Sequence, residues 1–147
     1  MKSYFLFIFI FWANLIFAQK QPTRAMKQAF EADNIEMLLA ELKSQNMSLN
    51  DCFEINGKNY SLLVIAIKME KKEIIKALVK EKIELNKICA DKSPLMYAAK
   101  YGQTETARLL IEAGAQINLK NPEGLTALDY AVQAQQKDIE ALLKAKK

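Results

Sequence analysis

The sequence predicts an all-α solenoid of four helix-turn-helix repeats joined by short hairpin loops, and three observations carry that expectation. A block of the chain recurs at an almost fixed offset. Helix-start and helix-stop residues recur at matching places within the blocks. The N-terminus differs so sharply in composition that it must be set aside before the fold is read. The chain has 147 residues, 21 Lys+Arg against 17 Asp+Glu, no His, two Cys and 51% hydrophobic residues. That is enough for one small domain and too little for several.

The first element is an export segment. Of the aromatic residues, Tyr4, Phe5, Phe7, Phe9, Phe11, Trp12 and Phe17 all fall within the first 18 positions. Lys2 supplies a short positive region, Tyr4 to Phe17 is apolar except for Asn14, and Ile16-Phe17-Ala18 ends in a small residue. This pattern reads as a secretory signal peptide over residues 1–18, cut after Ala18. A membrane-crossing helix needs about 20 apolar residues, and Gln19, Lys20, Gln21 and Pro22 stop the run first. An uncleaved anchor is the alternative. Gln19 at the new N-terminus gives no cysteine for a lipid. The remaining domain, 19–147, carries a formal charge of +3, the chain's +4 less Lys2.

The repeat comes next. Ala66 to Val79 lies without gaps over Ala98 to Ile111, and the register continues from Leu85-Asn86 to Ile117-Asn118. A further copy follows, with Leu128-Asp129-Tyr130-Ala131-Val132 repeating Leu95-Met96-Tyr97-Ala98-Ala99. A degenerate first copy has Ala29-Phe30 and Ile35 to Leu38 at the corresponding places. A fixed period of this length is the signature of a stacked repeat array.

Ser93-Pro94-Leu95-Met96-Tyr97-Ala98-Ala99, then Gly102, then Ala107 to Asn118, closely resembles the ankyrin repeat. The resemblance extends over residues 23–147 as four repeats, spanning about 23–50, 51–86, 87–118 and 119–147. It implies two antiparallel helices and a turn per repeat, with each apolar face buried only by stacking on its neighbours. Local chemistry agrees. Ser93 is a good N-cap with Pro94 tolerated at the first helical position. Gly102 and Gly114 supply left-handed residues that stop successive helices. Leu78 and Val79, Leu109 to Ile111, and Leu142 and Leu143 form the buried stripes. The degenerate first copy and the last helix, Gln136 to Ala145, are expected to cap the stack.

Departures from the family pattern are equally definite. Val64, Met96 and Asp129 stand where the family has its histidine, so the usual Thr–His hydrogen bond is absent and some stability with it. Glu70 and Gln135 replace the glycine at Gly102's position. The connection from Asn50 to Ser61 is about three residues longer than its counterparts, with the excess around Phe53 to Asn59.

Little chemistry is available for catalysis. The absence of His removes histidine triads, His metal ligands and a histidine pH switch. Asp51, Glu54 and Asp91 are carboxylates in expected surface turns. Gly57, Gly102, Gly114 and Gly124 are all at turns, so no phosphate-cradling loop exists. The reading is a non-enzyme with no catalytic residues, cofactor or metal. Lys and acidic residues intersperse, as in Glu70-Lys71-Lys72-Glu73, which dresses solvated helices and makes no basic stripe for nucleic acid. No membrane span is expected once the leader is cut.

The resemblance implies protein binding through the hairpin tips and the exposed edge of each first helix. Carried over by position, the contacts are Tyr60, Lys68 and Met69 in the second repeat, Lys92, Lys100 and Tyr101 in the third, and Glu123, Leu125 and Gln133 in the fourth. Tyr60, Met69, Tyr101 and Leu125 would line one concave face with Lys68, Lys92 and Lys100 around them, as in an interface centre with a polar rim. The convex face and the widened hairpin with Phe53 are alternatives. In such a stack Cys52 and Cys89 fall on loops of neighbouring repeats. They either bridge, if the longer loop bends to within disulfide reach, or remain two free thiols. The functional expectation is an exported, monomeric interaction module of the periplasm or extracellular space. A secreted effector or inhibitor acting on a foreign protein, and a module regulated through Cys52 and Cys89, are the rivals.

Overall fold

The computed structural model describes residues 20–146. The apolar leader 1–18 and its cut after Ala18 lie outside the described residues. The described chain holds eight helices in four antiparallel pairs: α1 (Arg24–Glu31) with α2 (Ile35–Ser44), α3 (Leu62–Lys68) with α4 (Lys72–Lys80), α5 (Pro94–Lys100) with α6 (Thr104–Glu112), and α7 (Ala127–Gln133) with α8 (Lys137–Ala145). Helix α5 packs between α3 and α7, and α6 between α4 and α8.

The two rows differ in burial because their surroundings differ. Sandwiched helices are apolar all round: α3 buries every residue from Leu62 to Ile67, and α5 every residue from Pro94 to Ala99. The outer row shows one stripe only, Ile74, Ile75 and Leu78 in α4, Ala107 and Leu110 in α6, and Ile139 and Leu143 in α8. One continuous core runs from Met26 to Leu143.

The inner helices start where the sequence predicts. The hydroxyls of Ser61, Ser93 and Thr126 accept from the backbone N–H three residues on, at Val64, Met96 and Asp129. Asp129 reciprocates, accepting from the Thr126 N–H at 2.7 Å, and Met96 Sδ accepts from the Ser93 N–H at 3.3 Å. The positions that lack the family's histidine therefore close two capping boxes of their own. The stop positions also hold without glycine: Glu70 and Gln135 adopt φ of 56° and 57°, beside 70° at Gly102.

Adjacent repeats are pegged by side chains that reach across to the neighbouring repeat in both directions. Asp33 accepts from the Glu73 and Ile74 N–H groups at 3.1 and 3.0 Å, capping α4 from the preceding repeat. Gln103 donates to the Ile67 carbonyl at 2.7 Å, and Lys71, one repeat earlier, donates to the Glu31 carbonyl at 3.1 Å. Asn50 and Asn86 accept from the Glu84 and Gln116 N–H groups.

The all-α expectation is corrected at the widened connection. Its extra residues form an antiparallel hairpin, β1 (Cys52–Ile55) and β2 (Lys58–Ser61), with Phe53 opposite Tyr60. Asn56-Gly57, with φ of 52° and 76°, makes the two-residue turn that such a hairpin favours. Phe53 is fully buried, so it anchors the hairpin to the core and cannot be the exposed contact considered for this loop. Cys52 and Cys89 are bridged, with Cα atoms 5.8 Å apart. The bridge ties β1 to the loop that leads into α5.

Candidate functional site

Every tyrosine after the leader, Tyr60, Tyr97, Tyr101 and Tyr130, falls in one region of the inner face. Strand β2 presents Tyr60, α5 presents Tyr97 and its C-cap Tyr101, and α7 presents Tyr130. Tyr97 stands edge-on to Tyr60 at 6.2 Å and tilted to Tyr101 at 6.0 Å between ring centroids. Two lysines interleave with the rings. Lys68 Nζ, at the end of α3, lies 4.9, 5.5 and 5.7 Å from the centroids of Tyr60, Tyr97 and Tyr101, within cation–π range. It donates to the Tyr101 hydroxyl at 3.3 Å. Lys92 Nζ lies 5.6 and 5.2 Å from Tyr97 and Tyr130.

A polar network fixes the inner half of this cluster. Asp91 pairs with Lys92 and accepts from the Tyr97 hydroxyl at 2.9 Å. Burial raises the Asp91 pKa, but hydrogen bonds from Lys92 and Tyr97 with the Lys92 charge outweigh it, and the carboxyl sits below its ordinary value. Burial lowers the Lys92 pKa, and Asp91 more than restores it. Tyr97 is pushed well above the usual phenol range, first by burial and then by its bond to Asp91. Asn121 completes the network. It is buried, donates to the Asp91 carbonyl and the Tyr130 hydroxyl at 2.9 and 3.0 Å, and accepts from the Glu123 and Leu125 N–H groups.

The structure sorts the residues expected at the contact face. Tyr60, Lys68 and Tyr101 meet in the cluster, and Met69 adjoins Lys68 on the chain. Met69 and Tyr101 are 40% and 41% exposed, against 5% for Tyr97 and 7% for Tyr130. Met69 also borders a groove lined by Phe30, Ile55 and Ile65. Lys92 was expected at the rim, yet its side chain is only 12% accessible because Asp91 and two rings enclose it. Leu125 was expected exposed and is half-buried against the core. Lys100, Glu123 and Gln133 are exposed and make no ring contact with the cluster.

Tyr97, Tyr130 and Asn121 are not among the contact residues the sequence singled out, and Asp91 is expected there only as a carboxylate in a surface turn. The signal was present: Tyr97 and Tyr130 occupy the same position of successive repeats, and Tyr97 and Tyr101 are one helical turn apart. The carboxylates weighed for catalysis have structural partners. Asp51 pairs with Lys20 and accepts from the Ser48 N–H, and Glu54 accepts from Gln21 and from the Gly57 N–H. Among the described residues, no group of three His, Cys, Asp or Glu is placed to hold a metal ion. No described helix is long and apolar enough to cross a membrane.

The family model for ankyrin repeats, three copies long, matches residues 18–121 and again 86–147. The chain belongs to the ankyrin-repeat family. Domains of this family typically act as non-enzymatic protein-interaction modules, so a protein-binding role follows at that level. The chain is also 54% identical over 41 residues to a probable E3 ubiquitin-protein ligase, XBOS32, of Oryza sativa subsp. japonica. That stretch is 28% of this chain and 8% of the plant protein, little more than one repeat unit.

Proposed function

We propose that this chain is exported and binds another protein through its concave face, centred on Tyr60, Lys68, Met69 and Tyr101. The observation that carries the reading is the clustering of all four post-leader tyrosines along one edge of the stack, with Tyr101 and Lys68 exposed above the buried rings of Tyr97 and Tyr130. Tyrosine is enriched in binding hot spots because it contributes a large contact area with little side-chain entropy to lose. Lys100, Glu123 and Gln133 supply the polar rim in this reading. Export rests on the leader pattern of residues 1–18, and the Cys52–Cys89 bridge suits an oxidising compartment, periplasmic or extracellular.

The test is affinity capture from an envelope extract and from culture medium, using residues 19–147, whose core lies wholly between Met26 and Leu143. A Tyr60→Ala, Tyr101→Ala, Lys100→Glu triple variant, matched for folding, runs alongside. A partner held by the wild type and lost by the variant supports the concave face. A partner held equally by both moves the site elsewhere, and the fraction that yields the partner separates an envelope role from a secreted one.

A further inference from the structure

We infer that Lys68 is an anchoring cation for a carboxylate of the partner, so that the concave face takes an acidic segment interspersed with apolar residues. This deepens the concave-face reading and rests on it. The two lysines of the cluster differ in what neutralises them. Each ammonium sits over tyrosine rings at similar distances. Lys92 is enclosed, and Asp91 neutralises it within the fold. Lys68 is exposed and makes no ion pair among the described residues. Its one hydrogen bond goes to the neutral Tyr101 hydroxyl.

An ammonium has three donors, so two of the Lys68 N–H groups remain for an outside acceptor. Three rings and a hydroxyl hold the flexible lysine stem in place before any ligand arrives. That removes part of the ordering cost that weakens ordinary surface ion pairs. The surroundings extend the same preference. Lys100 and Lys58 also make no ion pair among the described residues, though the Lys58 charge is partly engaged by Asp91 and Glu123 acts on Lys92. The groove where Phe30, Ile55, Ile65 and Met69 form an apolar floor and Lys27, Glu31 and Glu54 also contribute to the lining gives an apolar side chain of the partner, not a second carboxylate, a place to rest. A carboxylate bonded to Lys68 gains a charge-assisted hydrogen bond and is steered by the unpaired lysines.

Tyrosine emission is the direct readout, because residues 19–147 contain no Trp and all four tyrosines belong to the cluster. The probe is a blocked peptide of alternating Glu and Leu. A Lys-Leu peptide of equal length and an oligothymidylate are the comparison ligands. The expected result is a saturable emission change with the Glu-Leu peptide and much weaker binding of the Lys-Leu peptide. Lys68→Gln should weaken Glu-Leu binding about fivefold, the size of one well-held ion pair. Lys68→Arg should retain it, and Lys76→Gln, on the outer row, should leave it unchanged. No saturable change, or equal binding by Lys68→Gln, overturns the inference. Tighter binding of the oligothymidylate also overturns it, since the face would then select phosphate. A partner captured in the extract experiment and lost by the triple variant, with no Glu-Leu binding, would sink this inference and leave the concave-face reading standing.

Discussion

The Tyr97 hydroxyl donates to Asp91 at 2.9 Å, joining the middle of an inner helix to the loop that precedes it. This bond lies under the exposed edge of the tyrosine cluster, and Lys92 closes it from the other side. The proposed contact face is therefore stiffened from beneath by an internal ion pair. Lys68, exposed and without an ion pair among the described residues, is left to the outside.

The pH dependence of stability follows from those three groups. The Asp91 pKa is lowered on folding, so its stabilisation is complete above the unfolded carboxylate value and fades as pH falls through the folded one. The Lys92 and Tyr97 pKa values are raised, so their stabilisation is complete below their unfolded values and fades as pH rises through the folded ones. With no His in the chain, thermal unfolding midpoints should be flat between about pH 5 and pH 9 and fall outside that window. Asp91→Asn should remove most of the acid-side fall that this site contributes. A midpoint that climbs or drops steadily through neutral pH would contradict the assignment.

The disulfide closes a loop between residues 37 apart in sequence. By the chain-entropy estimate such a bridge stabilises by up to about 4 kcal/mol. It also joins the strand pair bearing Tyr60 to the loop bearing Asp91. Paired Cys52→Ser and Cys89→Ser substitution should lower stability by about 2–4 kcal/mol in denaturant titrations, and reduction of the wild type should do the same. Identical titration curves for oxidised and reduced protein would refute a structural role.

The stop positions after the inner helices predict opposite effects for opposite substitutions. Glu70 and Gln135 hold left-handed backbone as ordinary residues, at a cost of roughly 1 kcal/mol each. Glu70→Gly and Gln135→Gly should each raise the unfolding midpoint by a few degrees. Gly102→Ala should lower it, because φ is 70° and a Cβ would come 2.5 Å from Gln136 Oε1. Matching shifts of one sign at all three positions would count against this account.

Asp33 tests the pegging of the first repeat to the second. Its carboxylate supplies the N-terminal cap that α4 lacks locally. Asp33→Ala should cost about 1–2 kcal/mol, and Asp33→Asn should recover much of it, since the amide oxygen still accepts. Amide exchange should quicken first at Glu73 and Ile74. Unchanged exchange there would mean that α4 is held by packing alone.

Much of the fold was legible because the repeat imposes its own constraints. Ser61, Ser93 and Thr126 mark helix starts by chemistry that acts within three residues, and Leu78, Leu110 and Leu143 recur because stacking needs a filled stripe. Glu70 and Gln135 show that the left-handed position belongs to the fold and merely favours glycine. The hairpin was harder to read: Asn56-Gly57 is a strong turn signal, yet whether Phe53 points in or out depends on pairing with Tyr60. The half-legible site follows the same division. Family positions located Tyr60, Lys68 and Tyr101, whereas burial of Lys92 and the role of Asn121 depend on contacts across some 30 residues of sequence.

A partner docked on the proposed concave face would shield the backbone amides beneath it. Amide hydrogen exchange of the 19–147 domain, with and without the captured partner, tests that docking most directly. New protection should concentrate at Tyr60, the last turn of α3 and residues 97–101, with α4 and α6 unchanged. Protection centred on α4 and α6, leaving the tyrosine cluster as it was, would place the interface on the convex face and contradict the account.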